Sequence, residues 1–242
     1  MSFAVRPRIG CRRNWLLIAA MLWGVSDDDL IARLRRRAYN PATRLDEAYV
    51  PRDWLQRNYG DEAVSRVLSW SAWSTDREAA VFGAGAPEAV EFFKGAPHEP
   101  PRPPVTLSEL MAAEQRMGCR LPELLERLYT EVGNGGFGPQ HGILAIAPSG
   151  PDDECGPTAV GEYLKHPELN EPLGLPLVGA GCTLWWYVSL TKPGNPVYLF
   201  EWDLWLGPER GSPEAAIHHT VPTLAEWLGR WADGHDVWPH SS

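Results

Sequence analysis

Cysteine is scarce and scattered in this 242-residue chain: Cys11, Cys119, Cys155 and Cys182 stand far apart, with no CxxC pair. That spacing excludes a disulfide framework or a zinc-ribbon ligand set and points to reduced thiols. Long apolar runs are missing too. The stretch 15–23 (WLLIAAMLW) falls well short of the ~20 apolar residues that a bilayer-spanning helix needs. Positive charge is in short supply, with 22 Lys and Arg against 31 Asp and Glu, a net charge of −9 and a pI near 5.3. Nucleic acid is therefore excluded as a direct ligand. No HExxH, GxSxG or Walker sequence occurs, so neither metal-assisted hydrolysis, a nucleophile elbow nor a phosphate-binding loop is expected.

What the chain does contain is tryptophan, 12 in all, together with 23 proline and 23 glycine. So many indoles need either a well-shaped core or a contact surface. The prolines and glycines imply many turns and one stiff linker. Charge is unevenly spread: residues 1–24 carry four arginines and no acid, whereas residues 101–242 carry eighteen acids and eight bases. An acidic domain steers toward basic partners, and the same charge serves solubility. Arg12 and Arg13 before the apolar run 15–23 resemble the start of a secretory signal, but no small-x-small cleavage site follows. The run is expected to stay uncleaved, either docking on the core as a helix or lying ahead of a true start at Met21, in a cytoplasmic protein without a membrane partner.

Punctuation along the chain divides it into a helical N-terminal extension over 1–93, a linker over 94–104 and a domain over 105–238. Ser26 with Asp27, Asp28 and Asp29 caps a helix, and Arg33, Arg35, Arg36 and Arg37 complement its C-terminal end as a solvated face. Residues 40–93 read as short helices joined by loops. Pro97, Pro100, Pro101, Pro103 and Pro104 make 94–104 an extended spacer. Thr106 and Glu109 form a capping box for a helix over 106–117, with Leu107, Leu110, Met111 and Met117 on one apolar face. A second helix over 122–132 buries Leu124, Leu125, Leu128, Tyr129 and Val132. The pattern then changes to short strands at 143–146, 175–178, 184–190 and 197–202, and a capped helix over 223–232 closes the order. Helix, helix, strands, helix without βαβ alternation predicts an α+β fold: a curved, mainly antiparallel sheet packed by two helices on its N-terminal side and one C-terminal helix.

Gly133, Gly135 and Gly138 match GxGxxG, but a helix precedes them and Pro139 with a strand follows, the reverse of the dinucleotide fingerprint. The reading here is a helix terminus: Gly133 and Asn134 in left-handed geometry, then glycines that turn the chain onto the sheet. No cofactor or metal is expected. His218 and His219 point to opposite faces of a strand and do not share an ion. Asp152, Asp153 and Glu154 form an acidic cluster without EF-hand spacing, left open between calcium, a solvated loop and a contact for a basic partner. Trp185 and Trp186 must send their rings to opposite faces. Trp202 and Trp205 flank a turn; they either fill the core or serve as interface anchors beside acids.

The segment Leu121-Pro122-Glu123-Leu124-Leu125 through Leu128-Tyr129, then Val132-Gly133-Asn134-Gly135-Gly136-Phe137-Gly138-Pro139, resembles the hallmark of the SUKH superfamily. Gly179-Ala180-Gly181, the strand at Pro196-Val197-Tyr198 and the helix at Leu224-Ala225-Glu226-Trp227-Leu228 keep the family's order. The resemblance covers about 105–238. It departs at Ser189, where members often carry an acidic residue. The resemblance implies binding and not catalysis. Bacterial SUKH proteins are commonly immunity proteins that neutralise toxins, often nucleases or deaminases, and the yeast Smi/Knr-type members are regulatory scaffolds. Asp152, Asp153, Glu154, Trp202 and Trp205 are the expected contacts for a basic toxin domain.

Overall fold

The computed structural model describes residues 26–70, 72–74, 79–83, 85–87, 100–148, 157–205, 207–209 and 211–239. The apolar run 15–23, residues 88–93 at the end of the stretch read as short helices, and Asp152, Asp153 and Glu154 lie outside the described residues.

Helix α1 (Asp27–Ala38) starts where expected: the Ser26 hydroxyl accepts the Asp29 amide, three acids occupy the first turn and Arg35, Arg36 and Arg37 the last. Its buried face, Leu30, Ile31, Leu34 and Ala38, belongs to the same apolar core as the residues after 105. The arginines divide accordingly. Arg35 and Arg36 are exposed, whereas Arg33 pairs with Asp233 at 2.5 Å and the Arg37 guanidinium sits 4.8 Å from the centre of the Trp231 ring. The helix is thus an integral layer of the main domain.

The described residues between 40 and 87 correct the expectation of a helical extension. Strands β1 (Glu47–Pro51), β2 (Ala72–Ser74) and β3 (Ala79–Gly83) form an antiparallel sheet in the order β1-β3-β2. Between β1 and β2 runs helix α2 (Arg52–Trp70), broken at Gly60 where φ is 78° and ψ is 174°. A small core of Ala42, Val50, Leu55, Val64, Ala80 and Phe82 holds this unit together. Alanine-rich strands carry little intrinsic signal; their pairing is a non-local interaction that decides the outcome.

The proline tract is also more than a spacer at its end. Pro101 is buried, the Arg102 amide donates to Gly135 O at 3.3 Å, and Arg102 O accepts the Asn134 amide at 3.0 Å. Helix α3 (Leu107–Met117) carries the complete capping box between Thr106 and Glu109. Its buried face is Leu110, Ala113, Glu114 and Met117; Leu107 and Met111 are instead 70% and 65% exposed. The buried Glu114 carboxylate accepts the Leu121 amide at 2.8 Å on Oε1 and pairs with Arg120 Nε at 3.6 Å through Oε2. Helix α4 (Glu123–Arg127) widens into a π-helical turn, Leu128–Val132, closed by the Gly133 amide on Leu128 O at 3.1 Å.

The glycine turn corrects a detail. Gly133 has φ 169°, ordinary extended backbone, and Asn134 is not left-handed; positive φ begins at Gly135 (82°) and Gly136 (78°). A Cβ on Gly135 would lie 2.5 Å from Ile143 O, so the close approach of two backbones demands glycine there. Residues 143–146 are not a strand. They run irregularly beside the sheet, with one bond from the Leu144 amide to Leu177 O at 2.8 Å and another from the Ala159 amide to Ala145 O.

Two short helices follow, α5 (Ala159–Lys165) and α6 (Pro167–Asn170). Then β4 (Leu175–Gly179), β5 (Leu184–Val188), β6 (Val197–Glu201) and β7 (Ile217–Val221) form an antiparallel sheet in sequential order. The α+β class is as expected. Register shifts interrupt β4 at Pro176/Val178 and the β6–β7 pairing at Leu199/Phe200. Helix α7 (Leu224–Ala232) is capped by the Thr223 hydroxyl, which accepts the Glu226 amide at 3.0 Å.

The sheet has two apolar faces. Leu175, Leu177, Trp186, Val188, Val197, Leu199 and Val221 point into the main core under the helices. There Trp186 meets Trp227 at 5.7 Å and Trp238 at 5.6 Å between ring centres. Among the described residues their buried indole N–H groups meet no hydrogen-bond partner, so the apolar area these rings bury is offset in part by the cost of an unpaired donor. Tyr187, Tyr198 and Phe200 point the other way, into a second cluster with Leu169, Leu173 and Ala216. No helix among the described residues is long and apolar enough to cross a membrane.

An aromatic cleft on the outer face of the sheet

Alternation along β5 places Trp186 at 0% exposure in the main core and Trp185, half-buried, on the opposite face beside Tyr187. The 3₁₀ turn Trp202–Leu204 leaves β6 and folds back over that face. The turn is fixed at both ends: the Trp202 amide donates to Thr183 O at 2.9 Å and the Trp205 indole donates to Gly211 O at 3.4 Å. Phe200, Trp202 and Trp205 form a closed triangle of rings, with centres 5.4, 6.0 and 5.7 Å apart. Such tilted contacts stabilise aromatic clusters beyond their buried area. Trp202 and Trp205 are half-buried, so each fills part of a satellite core and leaves part of its ring to solvent.

Beside this triangle opens a cleft of about 310 Å³ lined by Glu162, His166, Cys182, Trp185, Tyr187 and Trp202. Helix α5 delivers Glu162 and its C-terminal cap residue is His166, whose ring lies 4.7 Å from Trp202 at 60°. His166 Nδ1 is 3.4 Å from Glu168 Oε1. Burial raises the Tyr187 phenol above its ordinary range, and the charges of Glu162 and Glu168 add to the shift. Both carboxylates therefore act on the floor of the cleft.

Other candidates are placed apart. His218 pairs with Glu201, while His219 meets the edge of Trp186 at 6.3 Å, so the two histidines face different neighbours. Ser189 is buried; its hydroxyl accepts the Lys192 amide at 3.1 Å and its carbonyl accepts from Asn195. It fastens the β5–β6 turn. Cys119 Sγ lies 3.7 Å from Tyr163 OH, and burial together with that contact pushes the phenol up to about 12. Among the described residues no group of three or more His, Cys, Asp or Glu is placed to hold a metal.

Trp202 and Trp205 were legible in the sequence, whereas Trp185, Tyr187, Glu162 and His166 were not assembled with them. The period-two alternation of Trp185 and Tyr187 was the available signal; helix α5, which supplies the acid, had none. Set against known protein families, curated proteins and solved structures, the chain matches none.

Proposed function

We propose that the chain is a non-catalytic, cytoplasmic binding protein that neutralises a toxin domain, in the way that its resemblance to bacterial SUKH immunity proteins implies. The observation that supports this reading is the outer aromatic face: Trp185 on β5 and Trp202 and Trp205 in the turn after β6 are half-buried, with Glu162 lining the cleft beside Trp185 and Trp202 and Asp203 exposed in the same turn. Aromatic anchors held in place by their neighbours lose little conformational entropy on binding and commonly dominate interface energetics. Surrounding carboxylates speed encounter with a basic surface such as a nuclease cleft. The partner is therefore a basic protein domain.

The test is to read the neighbouring genes for a toxin domain and to co-express the chain with it. Growth rescue by the wild-type chain, and its loss in the Trp202→Ala/Trp205→Ala double variant at unchanged protein level, is the expected result. A wild-type chain that neither rescues growth nor forms a complex sinks the reading. Capture of a chromosomal regulator in its place would point to a scaffold of the Smi/Knr type.

A further inference from the structure

We infer that the cleft between helix α5 and the outer face of the sheet is a receptor for one arginine side chain of the partner; this rests on the reading of the chain as a binding protein. Its walls are Trp185 and Tyr187, two positions apart on β5, and Trp202 from the turn, with His166 packed 4.7 Å from Trp202 at the rim. Ring faces are electron-rich and attract cations, more strongly where water is partly excluded. Glu162 is the carboxylate that lines the cleft, its side chain only 14% exposed. Aromatic walls with one sheltered acid favour a cation that carries its own apolar stem, which both Lys and Arg side chains do.

Two features of the free protein point the same way. Glu162 already holds a cation: Lys165 Nζ lies 2.5 Å from Glu162 Oε1, with the lysine side chain 62% exposed. A solvent-exposed lysine thus occupies the carboxylate as a point charge and is readily displaced. On the same sheet face Lys192 Nζ sits 5.1 Å from the centre of the Tyr198 ring, so an ammonium–aromatic contact is already part of this surface. Arginine is the better guest. Its planar guanidinium stacks on rings, is less strongly hydrated than an ammonium and meets a carboxylate with two parallel N–H groups. The cleft volume, about 310 Å³, admits one such side chain.

The full chain, with ¹⁵N-labelled indoles, is titrated with N-acetyl-argininamide, N-acetyl-lysinamide and N-acetyl-norleucinamide, following the Nε1 resonances of Trp185 and Trp202. The expected result is saturable shifts at both indoles with the arginine probe, weaker ones with lysine and none with norleucine. Glu162→Gln should weaken arginine binding about tenfold with an unchanged melting curve. Lys165→Ala, which removes the internal competitor, should tighten it. Absence of a saturable shift with arginine, an equal response to norleucine, or insensitivity to Glu162→Gln overturns the inference. These readouts do not depend on the toxin. A chain that binds arginine yet fails to rescue growth loses the proposed function and keeps the cleft; the reverse outcome removes the cleft alone.

Discussion

The Asn134 side chain accepts the Ile146 amide at 2.8 Å and, through its other end, donates to Ala147 O at 2.8 Å. Asn134 is fully buried, and its own amide donates to Arg102 O. One residue therefore joins the end of the proline tract, the end of the π turn and the irregular segment beside β4. The carboxamide takes the place of a strand partner for backbone that belongs to no sheet.

Asn134→Ala should destabilise the protein by about 2–3 kcal/mol, because it orphans a buried amide and a half-buried carbonyl together. Asn134→Asp keeps the acceptor but turns a buried carboxylate oxygen onto the Ala147 carbonyl, and should cost at least as much as alanine. Urea denaturation midpoints at constant slope check the order; equal midpoints for all three proteins would contradict it.

Gly135→Ala should cost about 2 kcal/mol or more, since φ of 82° and a Cβ 2.5 Å from Ile143 O leave no relaxed geometry. Gly181→Ala is the control for backbone strain alone: its φ is 107° but nothing lies within 4 Å of the added carbon. Thermal melts of the two should differ, with Gly135→Ala the lower.

The Thr106 cap should contribute about 1 kcal/mol, read as the loss in Thr106→Ala. The Thr106 backbone and hydroxyl hold the Glu109 carboxyl below its ordinary range. The part of the box made by the Glu109 carboxylate is fully present above the ordinary glutamate pKa and is lost as pH falls through the depressed folded value, while the Thr106 hydroxyl bond to the Glu109 amide persists. Melting curves of wild type and Glu109→Gln should therefore separate at neutral pH and converge in acid. A gap that persists in acid would assign the effect to something other than the carboxylate.

Leu107→Lys and Met111→Lys should each change stability by less than about 0.5 kcal/mol, because both side chains lie largely in solvent. Leu110→Ala, on the buried face of the same helix, should cost about 2–4 kcal/mol. Chemical denaturation of the three variants tests which face of α3 carries the packing.

Trp205→Ala should lower stability by about 2 kcal/mol, less than a fully buried ring, since it is half-buried against Phe200 and Trp202. Any partner affinity it loses must be read against that change, by comparing dissociation rates with melting midpoints. A variant with wild-type stability would mean that the ring triangle adds nothing to the fold.

Local signals in the sequence determined the helix starts at Ser26, Thr106 and Thr223, the opposed faces of Trp185 and Trp186, and the three strands near 175–178, 184–190 and 197–202. These depend on caps, turn residues and period-two alternation, which act over a few residues. Only the tertiary structure decided that β3, with its run of Ala79 and Ala80, pairs between β1 and β2, because strand pairing is settled by a distant neighbour. It also decided that α1 lies in the main core and that Leu107 and Met111 do not. The apolar stripe of a helix is wider than the face that its neighbours cover, and sequence alone does not say where those neighbours stop. The cleft shows the same division. Trp202 and Trp205 were visible as aromatic residues at a turn, but Glu162 and His166 reach them from a helix some forty residues earlier, across backbone contacts that no local pattern encodes.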